Sequence, residues 1–100
     1  MALMYISCKD KKEAGKISRH LLKKRLVACS NMFPIESLYW WKGRIANSKE
    51  YAILAKVLKK NVKSIRKEVK KIHSYEIPCV IDIDAGANKD FLDWVRKETR

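Results

Sequence analysis

The sequence lacks the short patterns that announce catalysis. It has no glycine-rich phosphate loop, no nucleophile elbow and no H-E-x-x-H pair. Nothing brings an acid, a base and a nucleophile together, so a conventional enzyme is not expected. Cys8, Cys29 and Cys79 form no C-x-x-C pair, which excludes a zinc finger and a thioredoxin-type motif. An odd set of isolated cysteines fits a reducing compartment, and a cytoplasmic location is expected. The apolar start, Met1 to Cys8, has no basic residues before it and is ended by Lys9. It falls well short of the ~20 residues a membrane span needs, and it is poorly formed as a signal peptide. No membrane insertion is expected. Glutamine is absent, and with two prolines and three glycines there is little room for linkers.

What is present fits one domain, residues 1–100. At 47% hydrophobic the chain can bury a modest core, in a size class whose net stability is ~5–15 kcal/mol. The charge is strongly one-sided: 23 basic against 11 acidic residues, a net +12. Such a balance suggests an acidic partner, nucleic acid or an anionic surface. The simpler reading is a lysine-rich solvated surface. Seventeen lysines and no glutamine also agree with adaptation to high temperature.

Periodicity orders the elements. Ala2-Leu3-Met4-Tyr5-Ile6 is a continuous apolar run, as in a central buried strand. Asp10 with Glu13 three residues on reads as a capping box. Ala14, Ile17 and Leu21 then mark an amphipathic helix ending near Arg25. Leu26 to Trp41 is strand-like, interrupted at Asn31-Met32-Phe33-Pro34, with Pro34 restricted to an edge or bulge. Lys42-Gly43 makes a tight turn, and a strand from about Lys49 to Val57 places Tyr51, Ile53, Ala55 and Val57 on one face. Val62, Ile65, Val69 and Ile72 mark a second helix. Pro78 opens a strand with Cys79, Ile81, Ile83 and Ala85 on one face, and Lys89 to Glu98 makes a last helix burying Phe91, Leu92 and Val95. The order is β-α-β-β-α-β plus a C-terminal helix: an α+β, ferredoxin-like antiparallel sheet with both main helices on one face.

The hairpin Tyr39-Trp40-Trp41-Lys42-Gly43 argues for assembly. Successive strand residues point to opposite faces, so Trp40 and Trp41 cannot face one core. A tryptophan buries ~150–250 Å², worth roughly 4–6 kcal/mol at ~25 cal/mol per Å². The open sheet face therefore needs a cover, which Trp94 and the last helix supply in part and a partner subunit in the remainder. The alternative is that all three tryptophans are ordinary core.

Ala28-Cys29-Ser30-Asn31, Ser37-Leu38-Tyr39-Trp40-Trp41-Lys42-Gly43-Arg44-Ile45, Glu50, Lys56, His73-Ser74-Tyr75-Glu76-Ile77-Pro78 and Phe91-Leu92-x-Trp94 run nearly the length of the chain. Together they resemble the CutA divalent-cation tolerance proteins. The resemblance implies a ferredoxin-like homotrimer held through its long hairpin strands. It also implies a link to tolerance of copper and other divalent metals, by binding and not catalysis. Cys79 stands where that family commonly has Glu. Copper-binding bacterial members use a first-strand cysteine, and Cys8 lies near that position.

Within that frame His73 is the leading metal-ligand candidate, since imidazole is the commonest protein ligand. Its other reading is a donor that satisfies helix-terminal carbonyls. Cys79 is the second candidate; a His/Cys pair is soft enough for copper or zinc, although two ligands do not close a site. Cys79 otherwise reads as a small buried hydrophobe, and Cys29 as a packed cysteine. Tyr39, Trp40, Trp41 and Tyr75 are the expected interface residues. Tyr75 and Glu76 are placed to line a pocket with His73. Asp82 and Asp84 share a strand face, either for a hard cation or for pairing with lysines. His20 is expected in solvent. A rival function uses the basic helices, residues 9–25 and 59–71, as a phosphate-tracking surface, or the open sheet face as a base-stacking platform. No RNP1-like run supports the latter, and nucleic acid is the less favoured partner.

Overall fold

The computed structural model describes all residues, Met1–Arg100. Four strands, β1 (Ala2–Cys8), β2 (Cys29–Trp41), β3 (Arg44–Val57) and β4 (Val80–Asp84), form one antiparallel sheet in the order β2-β3-β1-β4. Helix α1 (Lys11–Lys23) connects β1 to β2, α2 (Val62–Ile72) connects β3 to β4, and α3 (Lys89–Glu98) follows β4. This is the expected α+β arrangement. No helix is long and apolar enough to cross a membrane.

The sheet is buried on one face only. Along β1 buried residues alternate with half-buried ones: Ala2, Met4, Ile6 and Cys8 face the helices, while Leu3, Tyr5 and Ser7 face the other way. The apolar run of β1 had suggested burial on both faces. Register extends the helix-facing layer into β3, where Ile6 sits opposite Ile53, Met4 opposite Ala55 and Ala2 opposite Val57. From above, α1 contributes Ala14, Ile17 and Leu21, and α2 contributes Val62, Ile65 and Val69. The three- and four-residue spacing within each helix puts these on one stripe, and each fully buried Ile or Leu contributes about 1.5–3 kcal/mol.

Three boundaries differ from the expected ones. Strand β2 runs unbroken through Pro34, which lies opposite Tyr51; β2 is an edge strand, where a missing N–H is tolerated. Strand β3 begins at Arg44, five positions before the first strongly alternating residues, because the tight turn forces pairing at once. Strand β4 begins at Val80, not at Pro78. In the turn, Lys42 (φ 50°) and Gly43 (φ 78°) both take the left-handed region, as a two-residue turn that follows the strand twist requires.

The β2–β3 hairpin is longer than its neighbours. Strand β1 pairs only with Tyr51–Val57 of β3, so Ile35–Trp41 and Arg44–Glu50 project as a two-stranded arm. The molecule is correspondingly elongated, 45 × 24 × 21 Å. The end of α3 is tied back to α1: Arg25 pairs with Glu98 at 3.0 Å, and the Arg100 N–H donates to the Arg25 carbonyl at 3.0 Å. Only Val95 of α3 is fully buried; Phe91 and Leu92 are half-buried.

Glu68 clips α1 to α2. Its carboxylate accepts Lys24 Nζ at 2.6 Å and Lys71 Nζ at 3.2 Å, with His20 Nε2 at 3.5 Å. His20 is thus half-buried against this carboxylate and not free in solvent. Hydrogen bonds from Lys24 and Lys71 hold the Glu68 carboxyl down to about 2. A folded-state value below the ordinary 4.5 means that the clip contributes fully above that pH and is lost as pH falls from 4.5 toward about 2. Glu68→Gln should lose less thermal stability than wild type across that window. Superimposable pH–stability curves for the two proteins would contradict the assignment.

Candidate functional site

The chain crossing from β1 into α1 sets up the first part of the site. Asp10 caps α1, its Oδ1 accepting the Glu13 N–H at 2.8 Å. Glu13 closes the predicted box with a variation: Oε1 accepts the N–H of Lys9, one residue before the cap, at 3.0 Å. Its other oxygen, Oε2, accepts the N–H of Ser74 at 3.0 Å, across 61 positions of chain. Burial would raise the Glu13 pKa. The hydrogen bonds from Ser74 and Lys9, with His73 nearby, outweigh it and hold the carboxyl below its ordinary range.

His73 caps the C-terminus of α2 through its backbone N–H, which donates to the Val69 carbonyl at 2.8 Å. Its ring is held twice. Nδ1 accepts the Tyr75 N–H at 3.1 Å, so the proton sits on Nε2, which donates to the Ser7 carbonyl at 2.8 Å. The ring therefore fastens the end of α2 to β1. The carbonyl that the ring satisfies belongs to a strand and not, as the alternative reading had it, to the helix end.

These contacts gather a donor set that no local spacing reveals. Cys8, Glu13 and His73 each offer one ligand atom, and the three lie within 4.8 Å of one another. Burial pushes the Cys8 thiol up to about 12, with Glu13, Glu50 and Asp10 adding to the rise, so the sulfur is protonated at neutral pH. Cys79 is outside this cluster. It is half-buried just before β4, on the wall of a cavity beside Tyr5 and Ser7. Glu13 had read as a helix cap, and it is one; Cys8 stood near the position of the family's copper-binding cysteine, and proximity now sets both beside His73.

Tyr75 joins the cluster to this cavity on the opposite sheet face. Its ring lies 4.8 Å from that of His73, and its hydroxyl donates to Glu50 Oε2. Burial, followed by the Glu50 charge, raises the Tyr75 pKa. The cavity, about 730 Å³, is walled by the arm and by the 74–79 segment. Tyr39, Trp40 and Trp41 line it from the arm, as do Tyr75 and Glu76 from the segment. Tyr39 is fixed by a 2.8 Å hydrogen bond between its hydroxyl and Ser48.

Of the expected interface residues, Tyr39, Trp40 and Trp41 are exposed on the two faces of the arm, and Tyr75 is half-buried in the 74–79 segment. Leu38, Trp40 and Ile45 are 70%, 74% and 65% exposed on the helix-facing side. Phe33, Tyr39 and Trp41, with Ile81 and Ile83 of β4, are exposed on the other. Trp94 packs on Phe91 at 5.6 Å and leaves these residues uncovered. Asp82 pairs with Arg66 and Asp84 with Lys59, the ion-pairing alternative of the two readings.

The sequence matches the family described as "CutA1 divalent ion tolerance protein" over residues 2–98. The divalent-cation tolerance protein CutA of Archaeoglobus fulgidus is 43% identical over 94 residues, covering 92% of this chain and 91% of that protein. Among solved structures, CutA1 from Pyrococcus horikoshii superposes with a TM-score of 0.96 at 33% identity, covering 100% of this chain and 99% of that one. The A. fulgidus structure, described as a periplasmic divalent cation tolerance protein, superposes with a TM-score of 0.95 at 39% identity over 98% of both chains.

Glu13 accepts two backbone N–H groups as a charged, 7%-exposed acceptor. Glu13→Ala should lower unfolding free energy by about 2–3 kcal/mol, since hydrogen bonds to a charged group are individually strong. Glu13→Gln should lose less. Denaturant titration checks both, and a Glu13→Ala midpoint equal to wild type would contradict the role.

Proposed function

The chain belongs to the CutA1 divalent ion tolerance family, and from that premise we propose that it is a homotrimeric metal-binding protein of the cytoplasm that works without catalytic turnover. The observation that carries the metal reading is the Cys8, Glu13 and His73 set, with ligand atoms within 4.8 Å of one another. Sulfur, imidazole and carboxylate form a mixed, mainly soft donor set suited to copper or zinc ahead of calcium or magnesium. Three protein donors leave a coordination position open. In this reading Cys8 supplies the thiol, and Cys79, expected beside His73, stands on the cavity wall as an auxiliary donor at most. Binding asks the ring of His73 to release Ser7 or Tyr75 and the Cys8 thiol to release its proton, so metal affinity is linked to local structure.

The trimer reading rests on the arm. Large apolar side chains stand exposed on both of its faces, more than a soluble surface normally leaves uncovered. A closed ring of three copies gives each arm a neighbour and leaves no repeating apolar edge. The cytoplasmic reading rests on three cysteines, all free.

Two measurements test this. In calorimetric titration with copper, His73→Ala and Cys8→Ser should each lose at least the about 10–100-fold that removing even an outer-shell partner costs, with Cys79→Ser close to wild type. Equal affinity in wild type and His73→Ala would remove the site. For assembly, Trp41→Ala should shift the solution mass toward smaller species at low micromolar concentration. A trimer mass unchanged by the substitution would count against Trp41 at the interface.

A further inference from the structure

The net charge of the chain is not spread over its surface. Residues 9–25 and 59–71 hold 15 of the 23 basic residues and three of the 11 acidic ones. They carry the whole +12, and the rest of the chain balances at eight basic against eight acidic residues. Both segments belong to the helix layer, on the far side of the sheet from its open face.

Pairing does not remove this charge. Asp10 and Glu13 accept backbone N–H groups, so Glu68 is the one acid that pairs within the layer. Ten of the 15 basic side chains form no ion pair. Eight of the ten make two stripes. On α1, Lys12, Lys16, Arg19 and Lys23 are exposed at spacings of four, three and four. On α2 and the turn before it, Lys60, Lys63, Lys67 and Lys70 are exposed at three, four and three. These spacings set neighbouring residues ~5–6 Å apart along one face. A surface shaped by heat alone intersperses both signs in ion-pair networks; this one gathers a single sign and leaves it unpaired.

A linear polyanion is the partner that two rows of positive charge fit. A second copy does not supply one, since outside the helix layer the chain is neutral in sum. Binding to a bilayer draws on apolar side chains on the docking face. Here the apolar stripes of both helices are in the core, and Leu22 is the only large apolar side chain exposed in the two segments. Single strands are held by stacking on aromatic rings, and the two segments contain no Phe, Tyr or Trp. Double-stranded RNA is recognised partly through its 2′-hydroxyls, and Ser64 is the only exposed uncharged polar side chain on either helix. What remains is point charge, which the phosphates of a DNA duplex match without base contacts. We propose that the outer face of α1 and α2 binds double-stranded DNA through its phosphates and does not read its sequence. The surface uses neither the arm nor the Cys8–Glu13–His73 cluster, and copies joined through their arms and open sheet faces leave it outward.

The probes are two fluorescent DNA duplexes of equal length and unrelated sequence, one of their single strands, and phosphatidylserine vesicles, each titrated with the assembled protein over a salt series. Four to eight phosphate contacts make binding about 10²–10⁴-fold weaker at ~200 mM than at ~50 mM salt. Both duplexes should follow that dependence with equal affinity. Lys12→Gln, Lys16→Gln, Arg19→Gln and Lys23→Gln combined should roughly halve the slope of log affinity on log salt, since each phosphate contact contributes about 0.9 to it. Solution mass and melting temperature should stay at wild type, because these side chains are exposed and unpaired. A slope unchanged by the four substitutions overturns the proposal. So do absence of saturable binding at ~50 mM salt, a preference for one duplex, and tighter binding to the single strand or, at equal phosphate, to the vesicles. If the combined variant fails to fold, the same four-site change to glutamine in the α2 stripe supplies the comparison.

Discussion

The pleat of the sheet, with helices on only one of its faces, is the constraint on which everything else depends. Alternation sends Met4, Ile6, Ile53 and Ala55 into the helix-covered core, and the same alternation turns Tyr5, Leu54 and Ile81 outward. The arm carries this alternation beyond the end of β1, where no helix lies above it. Trp40 and Trp41 then stand on opposite faces of the ribbon, and Trp40, 74% exposed, finds almost no cover within the chain.

The donor cluster and the cavity lie on opposite sides of the same sheet. On the helix side, Glu13 and His73 act as fasteners. Glu13 ties α1 to Ser74, and His73 ties α2 to Ser7. The groups available to a metal ion are therefore the ones that hold the helices to β1. On the open side, Tyr75 carries the connection through to Glu50, with one ring edge toward His73 and its hydroxyl toward the cavity.

Much of this was legible in the residues. The 3-4 spacing of Val62, Ile65 and Val69, the Lys42-Gly43 turn and the Asp10–Glu13 box are local patterns, and local patterns translate directly into geometry. Pro34 misled because a proline predicts a break only where its N–H is needed, and an edge strand does not need it. The donor cluster was only half legible. His73 was prominent through its motif and Cys8 only through the resemblance, while Glu13 lay inside a cap. No spacing joins residues that the fold brings together from three elements.

The length of the arm also bears on the order of folding. Trp41 faces Arg44 across a two-residue turn, so the arm is the most local pairing in the sheet and belongs to the ~1–10 μs class of hairpin closure. Strand β4 reaches β1 only after most of the chain has been placed, and His73 meets Ser7 across 66 positions. Long-range closures of this kind are the slow ones. The largest apolar side chains thus belong to the most local pairing in the sheet, and the donor cluster to one of the least local.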